Sequence, residues 1–364
     1  MRNPAPRRYQ VGHAEIDKAI EELVAKLQEA YGAVDGADFA REILVSGARL
    51  VRDRTGRADL KLINAALKEL RHALAVFAPF EQVRKVSIFG SARTQRDEPA
   101  WKQAYDFSER LTRAGWMVIT GAGDGIMGAA QGGAGREKSF GVNIRLPFEQ
   151  VANKVIAGDH KLINFRYFFT RKLLFVKESH AIALFPGGFG THDEGFEALT
   201  LVQTGKSGMV PIVFIDEPGG KYWRAWEEYV HEHLRKPGLI SPEDVDLYRI
   251  TDSVDQAVAE VLGFYANYHS SRYVDDLLVL RVRSAPGPRE LEELNRRFGE
   301  IVTSGRIEVG GALAEERGEA AELPRVTLRF NRRDMGKLRR LIDALNALTP
   351  VRYLVPPGTA RTRD

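Results

Sequence analysis

Between residues 86 and 265, short apolar segments alternate with segments of helical periodicity, and this alternation most constrains how the chain can fold. The apolar segments end in turns that are polar or rich in glycine; they lie at 86–90, 116–120, 139–146, 181–185 and 211–216. Buried strands that alternate with helices form a mostly parallel sheet with helices on both faces. We therefore expect an α/β domain over residues 81–268.

The segments on either side of this domain have different patterns. Residues 14–78 show helical spacing without strand signals, which predicts three amphipathic helices in an N-terminal helical segment, 1–80. Residues 273–350 carry a βαββα pattern whose first strand is predicted at 273–283, and we expect a small α+β module for regulation or dimerisation. The basic helix predicted at 332–348 is interpreted as a solvated charged face, and 351–364 as a tail.

The composition narrows the possible classes of function. The 364 residues include no cysteine, so disulfides, thiol nucleophiles and cysteine metal sites are excluded. The 53 basic and 49 acidic residues nearly balance, which gives little reason to expect a nucleic-acid partner. No apolar run approaches the roughly 20 residues that span a membrane, and the histidines show no clear ligand spacing. We expect a cytoplasmic protein without a membrane partner or a bound metal.

The stretch AIALFPGGFGTHDE, residues 181–194, carries the strongest chemical signal. Its glycines Gly187, Gly188 and Gly190 permit positive φ and close approach of a ligand, and Thr191 is expected to cap the following helix. Free amides at a helix start favour an anion, above all a phosphate. Glu194 is expected to lie beside that anion site rather than in the core.

Two further turns are expected to converge on the same site. GSAR, residues 90–93, follows the first strand, and GAGDGIMG, residues 121–128, follows the second. Ligands of open α/β sheets bind outside the carboxyl ends of the strands. Ser91, Gly123 and Gly125 are therefore candidate ligand contacts.

GAGDGIMG also contains a GxGxxG pattern, so a dinucleotide site is an alternative. That pattern requires an acidic residue about 20 positions further on. Asn143 and Arg145 stand near that distance, and Glu149 lies beyond the strand. A nicotinamide cofactor stays an alternative, although the acidic residue that would bind its ribose is missing at that distance.

A second chemical signal is an adjacent cationic pair, Arg171 and Lys172, set among aromatic and aliphatic residues of a predicted helix at 165–179. We expect this helix to be largely buried, and a buried cation requires an anionic partner. Glu194, Glu197 or a bound phosphate could supply it. Glu194 and Glu197 are three positions apart and share one helix face.

At this point the residues carry a resemblance. PGGFGTHDE resembles the PGGxGTxxE signature of the LOG family, cytokinin-activating phosphoribohydrolases often labelled lysine decarboxylase-like. The resemblance extends over roughly residues 84–265, through GSAR, GAGDGIMG and FFTRK, and implies a Rossmann-like fold. The sequence of this region resembles that of a longer bacterial branch of the family. Thr170 stands where the family usually has a glutamate, and His192 and Gly195 also depart from the common pattern.

The resemblance implies hydrolysis of the N-glycosidic bond of a nucleoside 5′-monophosphate to free base and ribose 5-phosphate. Glu194 matches the catalytic glutamate, which would stabilise the cationic sugar and orient or deprotonate water. Arg171 matches the catalytic arginine, which would stabilise the departing base or hold the substrate. The scheme needs no metal or cofactor, and the family forms dimers or larger assemblies. The implied substrate-binding residues are Gly188, Gly190, Thr191, Gly123, Gly125, Ser91, Lys172 and Glu197.

Two other functions are alternatives to this one. Decarboxylation would need a pyridoxal Schiff-base lysine, and the His160–Lys161 step lacks a serine two residues before the histidine, so we discount it. A non-catalytic nucleotide or cofactor carrier of the same fold, like the molybdenum-cofactor carriers, would keep the phosphate-binding glycines. It could dispense with the acid–cation pair, and retention of Glu194 and Arg171 favours the enzyme. The sequence does not indicate which base is released.

Overall fold

The computed structural model describes residues 9–33, 35–145 and 151–348. The predicted tail at 351–364, Glu149 and the last residue of the predicted strand 139–146 lie outside the described residues. The chain separates into two compact units, Met1–Leu70 and Arg71–Asp364.

The first unit contains two of the three predicted amphipathic helices and most of the third. Its small core joins Val11, Ile20 and Val45. Ile16, Leu23 and Leu27 of the first helix are between 41% and 45% exposed, so the apolar face of this helix is only partly covered. The helices are α1 (Ala14–Tyr31), α2 (Ala37–Arg52) and α3 (Arg57–Phe77), which extends past the boundary between the units.

The second unit is built on a seven-stranded sheet in the order β4-β3-β2-β1-β5-β6-β7, with every neighbouring pair parallel. The central strands are buried along their whole length, as expected for a parallel sheet covered on both faces. The predicted α/β Rossmann-like fold is confirmed. The strands are β1 (Lys85–Phe89), β2 (Met117–Thr120), β3 (Ser139–Ile144), β4 (Leu162–Phe165), β5 (Ala181–Leu184), β6 (Ile212–Ile215) and β7 (Tyr248–Thr251).

Helices connect these strands, as the alternation predicted, but the two edge strands were missed. β4 and β7 are short and only partly buried, so neither shows the continuous apolar run that marks the central strands. Because Phe165 ends β4, the helix predicted from residue 165 begins at Phe168 instead. The helices are α4 (Pro99–Arg113), α5 (Ile126–Ala134), α6 (Phe168–Glu178), α7 (Phe189–Gln203), α8 (Tyr222–Tyr229) and α9 (Val254–Gly263).

The C-terminal part of this unit forms an antiparallel sheet in the order β10-β11-β9-β8. The single strand predicted at 273–283 is wrong: the chain turns at Asp275, where φ is +52°, and forms a hairpin. The order is therefore ββαββα rather than βαββα. The elements are β8 (Tyr268–Val274), β9 (Leu277–Val282), α10 (Pro288–Phe298), β10 (Glu308–Gly310), β11 (Arg325–Leu328) and α11 (Met335–Ala347).

The interpretation of α11 as a solvated basic face is also wrong for Arg339. This side chain is 1% exposed, its Nε donates to Asp343 Oδ1 at 2.9 Å, and its guanidinium pairs with Glu260 of α9. Arg340 Nη2 lies 2.6 Å from Asp246 Oδ2. A buried cation requires a paired anion, so Arg339 attaches α11 to the part of the unit that carries the parallel sheet. Arg340 is about half exposed and adds a surface ion pair.

Candidate functional site

The sheet order places the candidate site. From β1 the chain builds the sheet in one direction through β2, β3 and β4, and from β5 in the other through β6 and β7. β1 and β5 are hydrogen-bonded neighbours, so the turns that follow them adjoin at the point where the strand order reverses. Open α/β sheets bind ligands at this reversal.

The backbone of Ser91 joins the three glycine-rich turns. Its N–H donates to the carbonyl of Pro186 at 3.0 Å, and its carbonyl accepts from the N–H of Ile126 at 3.0 Å. A Cβ on Gly125 would lie 2.3 Å from the Ser91 carbonyl oxygen, and Gly125 has φ of +63°. Only glycine fits such a close approach at positive φ. The structure thus brings together the turns that the sequence indicated.

The loop after β5 differs in detail from the prediction. Helix α7 begins at Phe189 with Gly188 as its N-cap, and none of Gly187, Gly188 and Gly190 has a positive φ. Thr191 lies in the first turn and does not cap the helix. Gly187 is required for close approach instead, because a Cβ there would lie 2.2 Å from Thr191 Oγ1.

Asn153 supports the loop after β2, and sequence reasoning missed it. Its Nδ2 donates to the carbonyls of Ala122 at 3.1 Å and Gly123 at 2.9 Å, and to Gln131 Oε1 at 2.6 Å. Ala122 has φ of +64°, an uncommon conformation for a residue with a Cβ. These hydrogen bonds hold the loop in that conformation. No motif marks Asn153, because it lies about 30 residues away from the loop it supports.

A cavity of about 590 Å³ opens at the junction of the turns, within the range of roughly 300–1,000 Å³ typical of ligand pockets. An adjoining cavity of about 440 Å³ includes Gly125 in its wall. Six of the predicted site residues line the first cavity: Ser91, Arg171, Gly188, Gly190, Thr191 and Glu194. Arg93, Phe168 and Phe189 also line it and were not predicted as site residues.

Glu194 is the buried carboxylate of this cavity. Glu194 was expected beside the anion site rather than in the core. Its side chain does line the cavity, but it is buried, with only 8% of its surface exposed. Burial raises its pKa to about 7, while Lys172 and Arg171 act in the opposite direction. Removal of water disfavours the ionised carboxylate, and nearby cations favour it. Near neutral pH both protonation states of Glu194 are therefore populated.

Lys172 lies near Glu194 but binds two other carboxylates more closely. Its Nζ is 2.6 Å from Glu197 Oε2, 2.9 Å from Asp193 Oδ2 and 3.8 Å from Glu194 Oε2. Partial burial opposes the charge of Lys172, but its hydrogen bonds with Glu197 and Asp193 outweigh this and raise its pKa. Lys172 therefore stays charged and acts on Glu194 through space.

Arg171 lines the same cavity and is held in place by contacts with β3 and with its own helix. Its Nε donates to the carbonyl of Val142 on β3 at 2.9 Å, and its guanidinium lies 5.0 Å from the centre of the Phe175 ring. A Cβ on Gly121 would lie 2.7 Å from Arg171 Nη2, so glycine is needed there to admit the side chain. Burial lowers the pKa of Arg171 and Glu194 raises it. An arginine stays charged under these conditions.

Helix α6, which carries Arg171 and Lys172, is less buried than predicted. Leu174 and Phe175 are buried, but Phe168, Phe169 and Leu173 are about half exposed. Phe189, the first residue of α7, is 96% exposed. The prediction was wrong because only one face of α6 packs on the sheet, while the other face exposes its apolar side chains.

A dinucleotide site would need an acidic residue at the end of β3 to bind the ribose, and the described part of this strand has none. Asn143 stands there instead, and its Nδ2 donates to Asn164 Oδ1 at 2.9 Å. Within residues 9–33, 35–145 and 151–348, no cluster of three or more histidine, aspartate or glutamate side chains could hold a metal ion. No helix in that part of the chain is long and apolar enough to cross a membrane.

Residues 126–261 match the family model described as "Possible lysine decarboxylase", which confirms the resemblance drawn from PGGFGTHDE. The match includes α6, the loop after β5 and α7. No curated protein matches the chain.

Several solved structures are similar to half of the chain. The molybdenum-cofactor carrier protein of Chlamydomonas reinhardtii is 18% identical, with 50% of this chain and 96% of that chain covered and a TM-score of 0.34. The molybdenum-cofactor binding protein of Rippkaea orientalis is 18% identical, with 48% and 92% covered and a TM-score of 0.33. DNA processing protein A of Helicobacter pylori is 11% identical, with 49% and 80% covered and a TM-score of 0.32. Similarity at this level carries no information on function.

Proposed function

Taking as premise that residues 126–261 match the lysine-decarboxylase-like family, we propose that this protein hydrolyses the N-glycosidic bond of a nucleoside 5′-monophosphate. The products are a free base and ribose 5-phosphate. The observation that carries the proposal is Glu194, a buried carboxylate whose pKa is raised to about 7, in the same cavity wall as Arg171 and the glycine loop before α7.

The reaction needs a carboxylate and a cation on opposite sides of the breaking bond. As the bond from C1′ to the base breaks, its electron pair leaves with the base nitrogen and positive charge develops on the sugar. The Glu194 carboxylate stabilises that charge and takes a proton from the water that adds to C1′; the proton then passes to the departing base. Arg171 stabilises the negative charge of the base or holds the substrate.

The 5′-phosphate is assigned to the start of α7. The first amides of a helix have no partner within the helix and attract anions. Gly188 and Gly190 contribute these amides, and Arg93 adds a positive charge to the same cavity wall. Thr191 lines that wall too, but its own N–H donates to the Gly188 carbonyl at 3.0 Å. Ser91, Gly123 and Gly125 shape the adjoining turns, while Lys172 and Glu197 act through Glu194.

Decarboxylation has less support from the residues. Lys161 of the His160–Lys161 step is buried and its Nζ lies 2.7 Å from Asp159 Oδ1, in an ion pair that ties down the segment before β4. Lys172 is held by carboxylates, as described above. Neither amine is presented to the cavity as a free nucleophile, which a Schiff base requires.

Three further expectations from the sequence belong to this proposal: a cytoplasmic location, the absence of nucleic-acid and membrane partners, and self-association as a homodimer or larger homo-oligomer. The exposed apolar face of α6, formed by Phe168, Phe169 and Leu173, is the surface that supports self-association.

The test is release of free base from a panel of nucleoside 5′-monophosphates, with the corresponding nucleosides as controls. Glu194→Gln and Arg171→Gln should each lower turnover by about 100-fold or more, the usual contribution of an acid–base or charge-stabilising group. Lys177→Gln, which removes a half-exposed cation from the same helix as Arg171, should leave turnover unchanged. Nucleotide binding without base release would instead support the carrier alternative.

A further inference from the structure

A hydrogen-bonded relay of two side chains ends on the glycine loop before α7. The Tyr222 hydroxyl donates to the carbonyl oxygen of Gly187. His192 Nε2 lies 2.7 Å from the same hydroxyl oxygen. A tyrosine has one hydroxyl proton, and Tyr222 gives it to Gly187, so its oxygen accepts from His192 and Nε2 carries the proton.

The relay is anchored on a rigid part of the fold. The next residue, Trp223, is fully buried, its backbone N–H donates to Asp216 Oδ2 at 3.0 Å, and its ring packs edge-on against Phe214 at 4.7 Å. The His192 ring lies 5.5 Å from the Trp223 ring. The start of α8 therefore presents the Tyr222 hydroxyl in a fixed position.

Fixing one carbonyl also fixes the next amide. In a trans peptide the carbonyl of one residue and the N–H of the next point in opposite directions, and the described residues contain no cis peptide. The Gly187 carbonyl points to Tyr222, so the Gly188 N–H points away from it. Gly188 lines the 590 Å³ cavity, and its N–H has no acceptor among the described residues. A peptide between two glycines can rotate easily unless something holds it.

We propose that Tyr222 and His192 are positioning residues that hold the Gly187–Gly188 peptide, so that the Gly188 N–H faces an anion bound in the cavity. The anion is a phosphate group, and its assignment as the 5′-phosphate of a nucleotide rests on the proposed function.

The test measures binding of ribose 5-phosphate and of inorganic phosphate by calorimetry, which requires no turnover. Tyr222→Phe keeps the ring and removes the hydroxyl, and we expect Kd for both probes to rise about 10- to 100-fold, the value of one hydrogen bond to a charged group. His192→Leu should act in the same direction with a smaller effect, because Tyr222 keeps its bond to Gly187. The double variant should bind no more weakly than Tyr222→Phe, since both residues act through one peptide.

Tyr229→Phe, which removes a half-exposed hydroxyl from the same helix, is the matched control and should bind both probes like the wild type. Unchanged Kd in Tyr222→Phe, or a wild type that binds neither probe, would overturn the proposal. If the wild type releases no base from any monophosphate while Tyr222→Phe still weakens binding of both probes, the hydrolytic function is wrong and the positioning role stands. In an active protein, the loss should fall on KM for monophosphates rather than on kcat.

Discussion

The ammonium group of Lys172 lies 3.8 Å from Glu194 Oε2, beyond hydrogen-bond distance, although it binds Glu197 Oε2 at 2.6 Å. Lys172 therefore lowers the pKa of Glu194 through its charge without occupying the carboxylate oxygens. Burial outweighs this effect and raises the pKa to about 7. The result is a carboxylate that faces a cavity and can both take and give a proton near neutral pH, as acid–base catalysis requires.

The activity should depend on the ionised form of Glu194. We expect kcat/KM for base release, which reports the free protein, to rise with pH through an apparent pKa near 7, with a tenfold fall for each pH unit well below it. The measurement is kcat/KM between pH 5 and 9 on the best monophosphate. A profile that is flat between pH 5 and 8 would show that the Glu194 carboxylate does not limit the reaction.

Glu194 should also reduce stability as the pH rises. Its raised pKa means that the folded state holds the proton more tightly than the unfolded state, so the stability it contributes is fully present below pH 4.5 and is lost as the pH rises through 7. A shift from 4.5 to about 7 corresponds to a loss on the order of 3 kcal/mol. Glu194→Gln has no such loss. The thermal unfolding midpoint of Glu194→Gln, relative to that of the wild type, should therefore be higher at pH 8 than at pH 5. An equal difference at both pH values contradicts the assignment.

The neighbours of Glu194 should move its pKa in opposite directions. Lys172→Gln removes the cation that lowers this pKa, so the acidic limb of the pH–activity profile should move up by about one pH unit. Glu197→Gln removes an anion that raises it and frees Lys172 to pair with Glu194, so the limb should move down. The pair serves as its own control, because shifts of the same sign in both variants would mean that the limb does not report Glu194.

The glycine loop should tolerate a methyl group at one position and reject it at another. A Cβ on Gly187 would lie 2.2 Å from Thr191 Oγ1 and 3.0 Å from the Ser91 nitrogen, so Gly187→Ala should destabilise the protein by about 1–3 kcal/mol. Gly190, in the first turn of α7, has no neighbour within 4 Å of such a Cβ. Gly190→Ala should be neutral or stabilise by up to about 1 kcal/mol. Thermal unfolding of both variants provides the measurement. Equal losses of stability would mean that the close contacts of Gly187 are not the reason for a glycine at this position.

Much of the architecture could be predicted from the sequence. The central strands are continuous apolar runs that end in glycine turns, so their number and their parallel arrangement followed from the pattern. The edge strands β4 and β7 were missed because they are only partly buried and show no continuous apolar run. The hairpin at Asp275 was missed because no glycine or proline separates its two strands in the sequence.

The sequence by itself indicated that the glycine-rich turns meet beyond the carboxyl ends of a parallel sheet and that Glu194 lies beside them. For Arg171 it indicated an anionic partner, which could be Glu194, Glu197 or a bound phosphate. This information is local, because periodicity reports which residues are buried and a motif reports what its own turn can do. Only the tertiary structure decided that Asn153 holds the second loop, that Val142 holds Arg171, and that Lys172 binds Glu197 rather than Glu194. Those contacts join residues 25 to 31 positions apart, and burial by the whole fold sets the pKa of Glu194, so no local pattern records them.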